Sequence, residues 1–351
     1  MTTRLVSPLA SGLASVLTSL TIAAGLAACS GDDGTPADTT DAAVDAPPLE
    51  VGTFRVTWGP KQIAAGREDT ECVQMRLGNV GAIKVHELHN VLGEASHHFI
   101  LYRTTSTEVY TTPRPCNPFT DTLDPSKGAP LMITQRSEET LTLPDDVAFT
   151  LQPDQMVRLE LHYLNATESP QMVQATSELK TLATASIEAD FLFIGNPDIN
   201  LPSQNPPIEQ SVGPTFIAMP PELQGVSVFA VTGHTHKLGT SVTVATAHDK
   251  TDPGTMIYSP TPFAWSEPDT VYMRPAFTIP EGFRFTCKYK NGTGRTVGFG
   301  ESTDDEMCFF WAYYYPSQGA KVCVHSQQAG GPGGIDLCCP GNPLCGLIPN
   351  L

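Results

Sequence analysis

The feature that most constrains the fold is a series of short β-rich runs separated by turn residues. They include "HHFILYRTT", "MVRLELHYL", "GVSVFAVTG" and "CFFWAYYYP". The chain also contains 29 glycines and 31 prolines, and its sequence shows little helical periodicity. Many short strands at regular spacing are typical of β-sandwiches, including jelly rolls. We therefore predict an all-β protein.

The first residues have the pattern of an export signal. Arg4 precedes an apolar run rich in Ala and Leu, and small residues lead into Cys29. The uninterrupted apolar run is shorter than the ~20 residues that a membrane span needs. The ending "LAAC" resembles a bacterial lipobox, in which the cysteine is lipidated, so we predict a lipoprotein signal peptide at residues 1–29. A plain signal peptide or a short transmembrane helix is the alternative.

Residues 30–49 are small, acidic and proline-bearing, and they predict a disordered tether because they bury too little apolar surface to fold. Ser30 stands where an aspartate would follow the lipidated cysteine, and by similarity to Gram-negative sorting rules this favours the outer membrane. We therefore expect an exported protein that is lipid-anchored to a bacterial membrane. The net charge of −17, without a Lys/Arg cluster, excludes nucleic acid as a partner.

The remaining chain is long enough for one large domain or two medium-sized domains. The segment "TLATAS" lies between two groups of strand-like runs, so we predict a domain boundary there, with domains at residues 50–183 and 184–325. Residues 326–351 look too rich in glycine and cysteine for a strand, and we expect a tail held by disulfides. Nine cysteines are present; without Cys29 their number is even, which predicts disulfides in an exported chain but not their pairing.

Five of the nine histidines lie in strand-like runs: His97, His98, His162, His234 and His236. Side chains alternate along a strand, so His234 and His236 project to one side and can share an ion. His97 and His98 would point to opposite faces of a regular strand. Both reach one ion only if the backbone bulges there, or if the two rings coordinate through different nitrogens. His162 is the natural third ligand from a neighbouring strand.

Each histidine run taken alone is also compatible with polar strand residues, but their joint occurrence favours metal binding. Met307, in "DDEMCFFW", taken alone would be a core residue. Beside the "HTH" pair it becomes a candidate ligand, because two imidazoles and a thioether suit Cu(I) better than zinc. The other four histidines lack such a context and are predicted to be surface residues: His86, His89, His248 and His325.

The ordered series "HH … LELHY … HTHKLG … CKYKNGTGRTVGFGESTDDEMCFFWAYYYP" resembles the copper type II, ascorbate-dependent monooxygenases, the family of dopamine β-monooxygenase and peptidylglycine α-hydroxylating monooxygenase. The resemblance spans roughly residues 54 to 325. It implies two jelly-roll domains that face each other across a solvent cleft, with one copper in each domain.

The resemblance also implies the ligands and the reaction. His97, His98 and His162 would hold the electron-transfer copper. The catalytic, oxygen-binding copper would be held by His234, His236 and Met307. Ascorbate or another one-electron donor would reduce both coppers, and O2 would be used to hydroxylate a C–H bond of a small organic substrate, with an amine as one candidate.

The same resemblance bears on cysteines and on the substrate. Cys287 and Cys308 align with a family disulfide, and Cys72 is expected to pair with Cys116. Cys323 lacks its usual family partner, so its pairing with the tail cysteines (Cys338, Cys339 and Cys345) stays open. The positions that bind the substrate in the peptide-hydroxylating branch are here Thr232, Phe309 and Trp311, which argues against peptidylglycine.

Other interpretations of the sequence remain. The phrases "RLELHY" and "DEMC…YYYP" sit closer to the amine-hydroxylating branch, and Glu160 is either a partner for a cationic substrate or a solvated strand carboxylate. Complete ligand sets also fit a surface lipoprotein that binds copper or transfers electrons without oxygenase activity. A third possibility is a structural lipoprotein whose sites no longer bind metal.

Overall fold

The computed structural model describes residues 50–117, 128–327, 333–342 and 344–345. The predicted signal peptide, Cys29 and the tether lie outside these residues. Across the described ranges, no helix combines the length and apolar character needed to cross a membrane.

The first half of the described chain is a sandwich of two mainly antiparallel sheets. In sheet I the strand order is β1-β10-β3-β8-β11, with β7 also paired to β3, and in sheet II it is β5-β2-β9-β4-β6. The strands are β1 (Thr53–Ile63), β2 (Glu68–Arg76), β3 (Ile83–Leu92), β4 (Ser96–Thr104), β5 (Tyr110–Pro115), β6 (Gly128–Thr134), β7 (Glu138–Thr142), β8 (Val147–Leu151), β9 (Met156–Leu164), β10 (Gln171–Leu182) and β11 (Ile187–Glu188).

The second half is a further sandwich that begins directly after β11. Sheet III has the order β18-β15-β21-β12-β22-β23, sheet IV has the order β14-β19-β16-β17, and β13 pairs with β20. A 3-10 turn covers Pro221–Leu223. The strands are β12 (Asp190–Gly195), β13 (Asn200–Leu201), β14 (Glu209–Ala218), β15 (Ser227–His234), β16 (Gly239–Ala247), β17 (Thr255–Tyr258), β18 (Thr270–Thr278), β19 (Gly282–Lys290), β20 (Val297–Gly298), β21 (Phe309–Tyr315), β22 (Lys321–Ser326) and β23 (Ile335–Cys339). The predicted all-β fold of two jelly-roll sandwiches is confirmed.

The central strands β12 and β21 of sheet III are buried on both faces, which explains their almost continuous apolar runs. Along β21, Phe309 and Trp311 belong to the core that continues from the first sandwich, whereas Phe310 and Ala312 belong to the core between sheets III and IV. Successive side chains of a strand point to opposite faces, so a strand covered on both sides must be apolar throughout. The two sandwiches therefore share a packed apolar layer.

Four disulfides tie the strands together. Cys72 pairs with Cys116 and Cys287 with Cys308, the two pairs expected from the resemblance. In the tail, Cys323 pairs with Cys338 and Cys339 with Cys345. The expectation that the tail holds no strand is wrong, because β23 pairs with β22 and places Cys338 directly opposite Cys323.

Candidate metal centres

The first histidine group is assembled by neighbouring strands of sheet II. In the antiparallel register, His98 lies directly opposite His162, and the register shifts between Ser96 and His98. His97 is therefore the extra residue of a β-bulge, which is one of the two ways in which adjacent histidines can face the same ion. The ring centroid of His97 lies 5.4 Å from that of His98 and 5.2 Å from that of His162, and the His98 and His162 centroids are 4.7 Å apart.

The ring nitrogens of this group converge. One nitrogen from each of the three histidines lies within 4.8 Å of the others, and His162 Nδ1 is 3.1 Å from His98 Nε2. Both ring nitrogens of His97 are buried and have no hydrogen-bond partner among the described residues. Burying an unpaired polar atom is costly, so a donor aimed at a shared point without a protein partner fits a metal ligand.

Protonation in the first group also favours metal binding. Burial, together with the neighbouring His162 and His236, lowers the pKa of His97 to about 3. Burial places the pKa of His98 well below its ordinary value. Imidazole binds a metal in its neutral form, so at neutral pH these two rings have a lone pair to offer.

The second group lies where β15 and β21 begin to part. His234 is paired with Phe309 at the end of β15, and the same antiparallel register, extended by two residues, brings His236 level with Met307. Residues directly opposite in an antiparallel pair project to the same face. His234, His236 and Met307 therefore share one side of sheet III, and the two histidine ring centroids are 5.2 Å apart.

Hydrogen bonds fix which nitrogen each of these histidines can offer. His234 Nδ1 lies 3.0 Å from Oε1 of Gln135, and His236 Nδ1 lies 3.1 Å from the carbonyl oxygen of Asp305. Because these oxygens accept, each Nδ1 carries the proton and each Nε2 keeps its lone pair. Burial lowers the pKa of His236 to about 4 and that of His234 well below its ordinary value.

Met307 is held rigidly at the entry to β21. Its side chain is buried, its carbonyl oxygen accepts a hydrogen bond of 2.7 Å from Tyr289 Oη, and the next residue, Cys308, is bonded to Cys287. Nearby, Glu306 accepts hydrogen bonds from the backbone N–H groups of His236 and Leu238, at 2.9 and 2.7 Å. The loop before Met307 is thereby fastened to the "HTH" segment.

The two groups lie in the interface between the sandwiches. Gln135, from the first sandwich, bonds to His234 of the second, and the ring of Trp265 lies 5.5 Å from that of His97. Among the candidate ligands, four histidines are almost completely buried: His98, His162, His234 and His236. At these positions the two sandwiches are in direct contact, and a pocket between them is lined by residues that include Glu68, His162 and Ser302.

Other residues singled out in the sequence find ordinary partners. Glu160 is fully buried, where it accepts a hydrogen bond of 3.2 Å from Tyr102 and lies 3.5 Å from Arg158. It is neither solvated nor open to a substrate, so both interpretations of it are wrong. Thr232 shares a hydrogen bond of 2.8 Å with Thr270, and Phe309 and Trp311 pack in the interface core.

The four histidines predicted to be surface residues differ in their settings. His248 is exposed, and His86 and His89 are half-buried. His325 is buried, with Nδ1 2.7 Å from Asp336 on β23, so its prediction was wrong because the added strand covers it. Sequence reasoning missed Glu68 and Gln135, the acceptors for His162 and His234, because no spacing pattern connects them to the histidines.

Both donor sets fit copper. Three neutral imidazoles, or two imidazoles and a thioether, form small, soft ligand sets that match the coordination preferences of Cu(I). Neither ring nitrogen of His97 has a hydrogen-bond partner among the described residues, so the lone pair of the neutral ring is available to a metal. In the second group, the hydrogen bonds at Nδ1 leave the lone pairs of His234 and His236 on their Nε2 atoms.

No curated protein matches the sequence. Among solved structures, similar ones include the "STIV MCP", with 10% identity over 75% of this chain and 96% of that one at a TM-score of 0.33. The major capsid protein P2 from Bacteriophage PM2 has 10% identity over 77% of this chain and 99% of that one, at a TM-score of 0.34. At TM-scores this low, neither likeness bears on fold or function.

The sequence model of the copper type II ascorbate-dependent monooxygenase C-terminal domain matches residues 191–330. This range begins in β12 and contains His234, His236 and Met307. The second sandwich of this chain is thus similar to the C-terminal domain of the copper type II ascorbate-dependent monooxygenases.

Proposed function

We propose that this protein is a monooxygenase that binds two coppers per chain and hydroxylates a C–H bond of a small organic substrate. O2 and a one-electron donor such as ascorbate are its co-substrates. One observation carries the proposal: both donor sets are complete and buried, and in each a nitrogen that would face the metal is backed by a hydrogen bond on the other side of its ring. This arrangement is typical of working metal sites.

Copper, when bound, supplies one-electron chemistry and oxygen activation. The chain supplies the rest. Gln135 and the Asp305 carbonyl orient the rings of His234 and His236 before any metal binds, and the Met307 thioether provides a ligand that stabilises the reduced metal. Burial of both groups excludes bulk water, which limits side reactions.

The finer substrate assignment rests on sequence similarity. An amine is the first class to test, because "RLELHY" and "DEMC…YYYP" resemble the amine-hydroxylating branch. Peptidylglycine is disfavoured, since Thr232, Phe309 and Trp311 occupy the positions that bind it in that branch. The proposal includes export and lipid anchoring through Cys29, with the outer membrane as the expected location.

Copper stoichiometry tests the proposal first. The purified protein, loaded with copper and dialysed exhaustively, should retain two coppers per chain, and Met307→Ala should lose Cu(I) at one of them. The control is Met172→Ala, which removes an exposed methionine and should retain both. One copper in the parent would contradict the two-site proposal and favour the copper-binding lipoprotein, and none would favour the structural lipoprotein.

Activity is tested separately. Ascorbate-driven O2 uptake should rise on adding a phenethylamine-type substrate, with one hydroxylated product formed per O2 consumed. Two bound coppers without any product across a screen of amines and related small molecules would instead favour the copper-binding or electron-transfer lipoprotein.

A further inference from the structure

We infer that Glu68 is a positioning residue for the first histidine group, and that Thr303, from the second sandwich, holds it in place. Glu68 dictates which nitrogen His162 presents, and so sets the geometry of a metal bound there. This inference rests on the proposed function for its copper readout, but its central step can be measured without copper.

The location of Glu68 follows from the strand register. Glu68 begins β2, and two residues later Thr70 lies directly opposite His162 on β9. Alternation places Glu68 on the same face as Thr70, diagonally across from His162. Its Oε1 lies 2.9 Å from His162 Nε2.

This contact determines the tautomer of His162. An ionised carboxylate only accepts hydrogen bonds, so Nε2 must carry the proton. The Nδ1 atom of the neutral ring then holds the lone pair, and it is this atom that lies 3.1 Å from His98 Nε2. Glu68 is the acceptor that the structure gives to His162 Nε2, and its removal would leave that atom without this hydrogen bond.

Thr303 fixes Glu68 from the other sandwich. Its Oγ1 and its backbone N–H both donate to Glu68 Oε1, at 3.0 and 3.3 Å. The Glu68 side chain is 27% exposed and carries several rotatable bonds, so this second set of contacts limits the orientations open to it.

The segment 303–307 consequently touches both groups. Thr303 reaches His162 through Glu68, Asp305 accepts from His236 Nδ1, and Met307 belongs to the second donor set. A displacement of this segment would alter the ligands of both groups together. The second sandwich therefore contributes to the position of Glu68 beside the first site.

The experiment reads the tautomer in copper-free protein. Nitrogen-15 NMR of the His162 ring should show a protonated Nε2 and a bare Nδ1 in the parent. In Glu68→Ala the ring should populate the other tautomer as well. Glu68→Gln keeps an acceptor oxygen of the same reach and should retain most of the parental tautomer, which a loss of negative charge alone would not predict.

Copper affinity gives the second readout, in a His234→Ala/His236→Ala background where only the first group can bind. Glu68→Ala should weaken retention against a chelator by about 10- to 100-fold. Thr303→Val, which removes one of the two hydrogen bonds that Thr303 donates to Glu68, should act in the same direction with a smaller effect. The control is Asp69→Asn, a neighbouring carboxylate that pairs with Arg67, and it should change neither readout.

The outcomes separate the inference from the proposed function. An unchanged His162 tautomer in Glu68→Ala would overturn the inference. So would an Asp69→Asn effect as large as that of Glu68→Ala, because it would reduce the role of Glu68 to general charge. Since the tautomer is read without metal, its result stands whether or not the parent retains two coppers.

Discussion

His234 depends on a single amide that comes from the other sandwich. Gln135 lies just after β6, and its Oε1 is the partner of His234 Nδ1 at 3.0 Å. Both side chains are buried, so water cannot readily replace the contact. The orientation of the His234 ring therefore depends on a residue 99 positions earlier in the chain.

Replacing this acceptor should weaken the second site selectively. In Gln135→Leu, a change of similar size, His234 loses the partner that fixes its proton on Nδ1, and we expect about a 10-fold or greater loss of Cu(I) affinity at that site. Competition with a Cu(I) chelator would measure it. Gln135→Glu keeps an acceptor and should bind Cu(I) at least as tightly as Gln135→Leu. If Gln135→Leu kept the parental Cu(I) affinity, the amide would not be what orients the His234 ring.

The candidate ligands were accessible to sequence reasoning because their chemistry is local. His234 and His236 share a face through the two-residue strand period, and His97 with His98 required either a bulge or different ring nitrogens. Glu68 and Gln135 were not accessible, since each meets its histidine only through strand pairing or domain packing over long separations. Acceptors of this kind leave no spacing pattern.

At the scale of elements, the strands themselves were predictable but their environment was not. The runs in β12 and β21 indicated buried strands, yet nothing in "CFFWAYYYP" tells which core each side chain enters. In the structure, Trp311 packs in the core between the two sandwiches, and Phe310 packs in the core of the second sandwich. The tail strand β23 was missed because its pairing to β22 overrides the weak strand propensity of a Gly- and Cys-rich stretch.

The Cys287–Cys308 disulfide ties β19 to the residue that follows Met307, and it closes a sequence separation of 21. Removing it as Cys287→Ala/Cys308→Ala should cost about 3 kcal/mol of unfolding free energy, because the unfolded chain gains freedom. It should also loosen Met307, so copper at the second site should be lost before copper at the first. Denaturant unfolding and metal analysis of the same samples measure the two effects.

The control for this variant is Cys339→Ala/Cys345→Ala, whose disulfide closes a separation of 6 in the tail. The chain-entropy estimate gives a loss of about 2 kcal/mol for so short a loop, but both coppers should be retained. Equal copper loss in the two variants would mean that Met307 responds to overall stability rather than to its own disulfide.

At the scale of the whole molecule, the contact between the sandwiches includes a polar strip beside the histidine groups. Glu139 on β7 accepts a hydrogen bond from Thr270 on β18, whose hydroxyl is shared with Thr232. Tyr272 Oη donates to the Thr140 carbonyl at 2.6 Å. Docking of the second sandwich thus covers a carboxyl group of the first.

This covered carboxyl should make the docked state sensitive to pH. Burial raises the pKa of Glu139 from 4.5 to about 7, against smaller opposing effects of the Thr270 hydrogen bond and Arg136, and Asp269 raises it further. Between pH 4.5 and about 7, the Glu139 carboxyl is protonated in the folded protein but ionised in the unfolded chain. Stability from this group is therefore fully present below about pH 4.5 and is lost as the pH rises through about 7.

Glu139→Gln keeps the side chain neutral and removes this loss. Relative to the parent, its unfolding free energy should change little at pH 5 and rise by about 1–2 kcal/mol by pH 8, less than the full shift implies because the side chain is only half-buried. Denaturant unfolding at the two pH values measures the difference. Glu138→Gln, whose side chain is 68% exposed, is the matched control; a pH-independent difference for Glu139→Gln would show that docking does not bury a protonated carboxyl at this position.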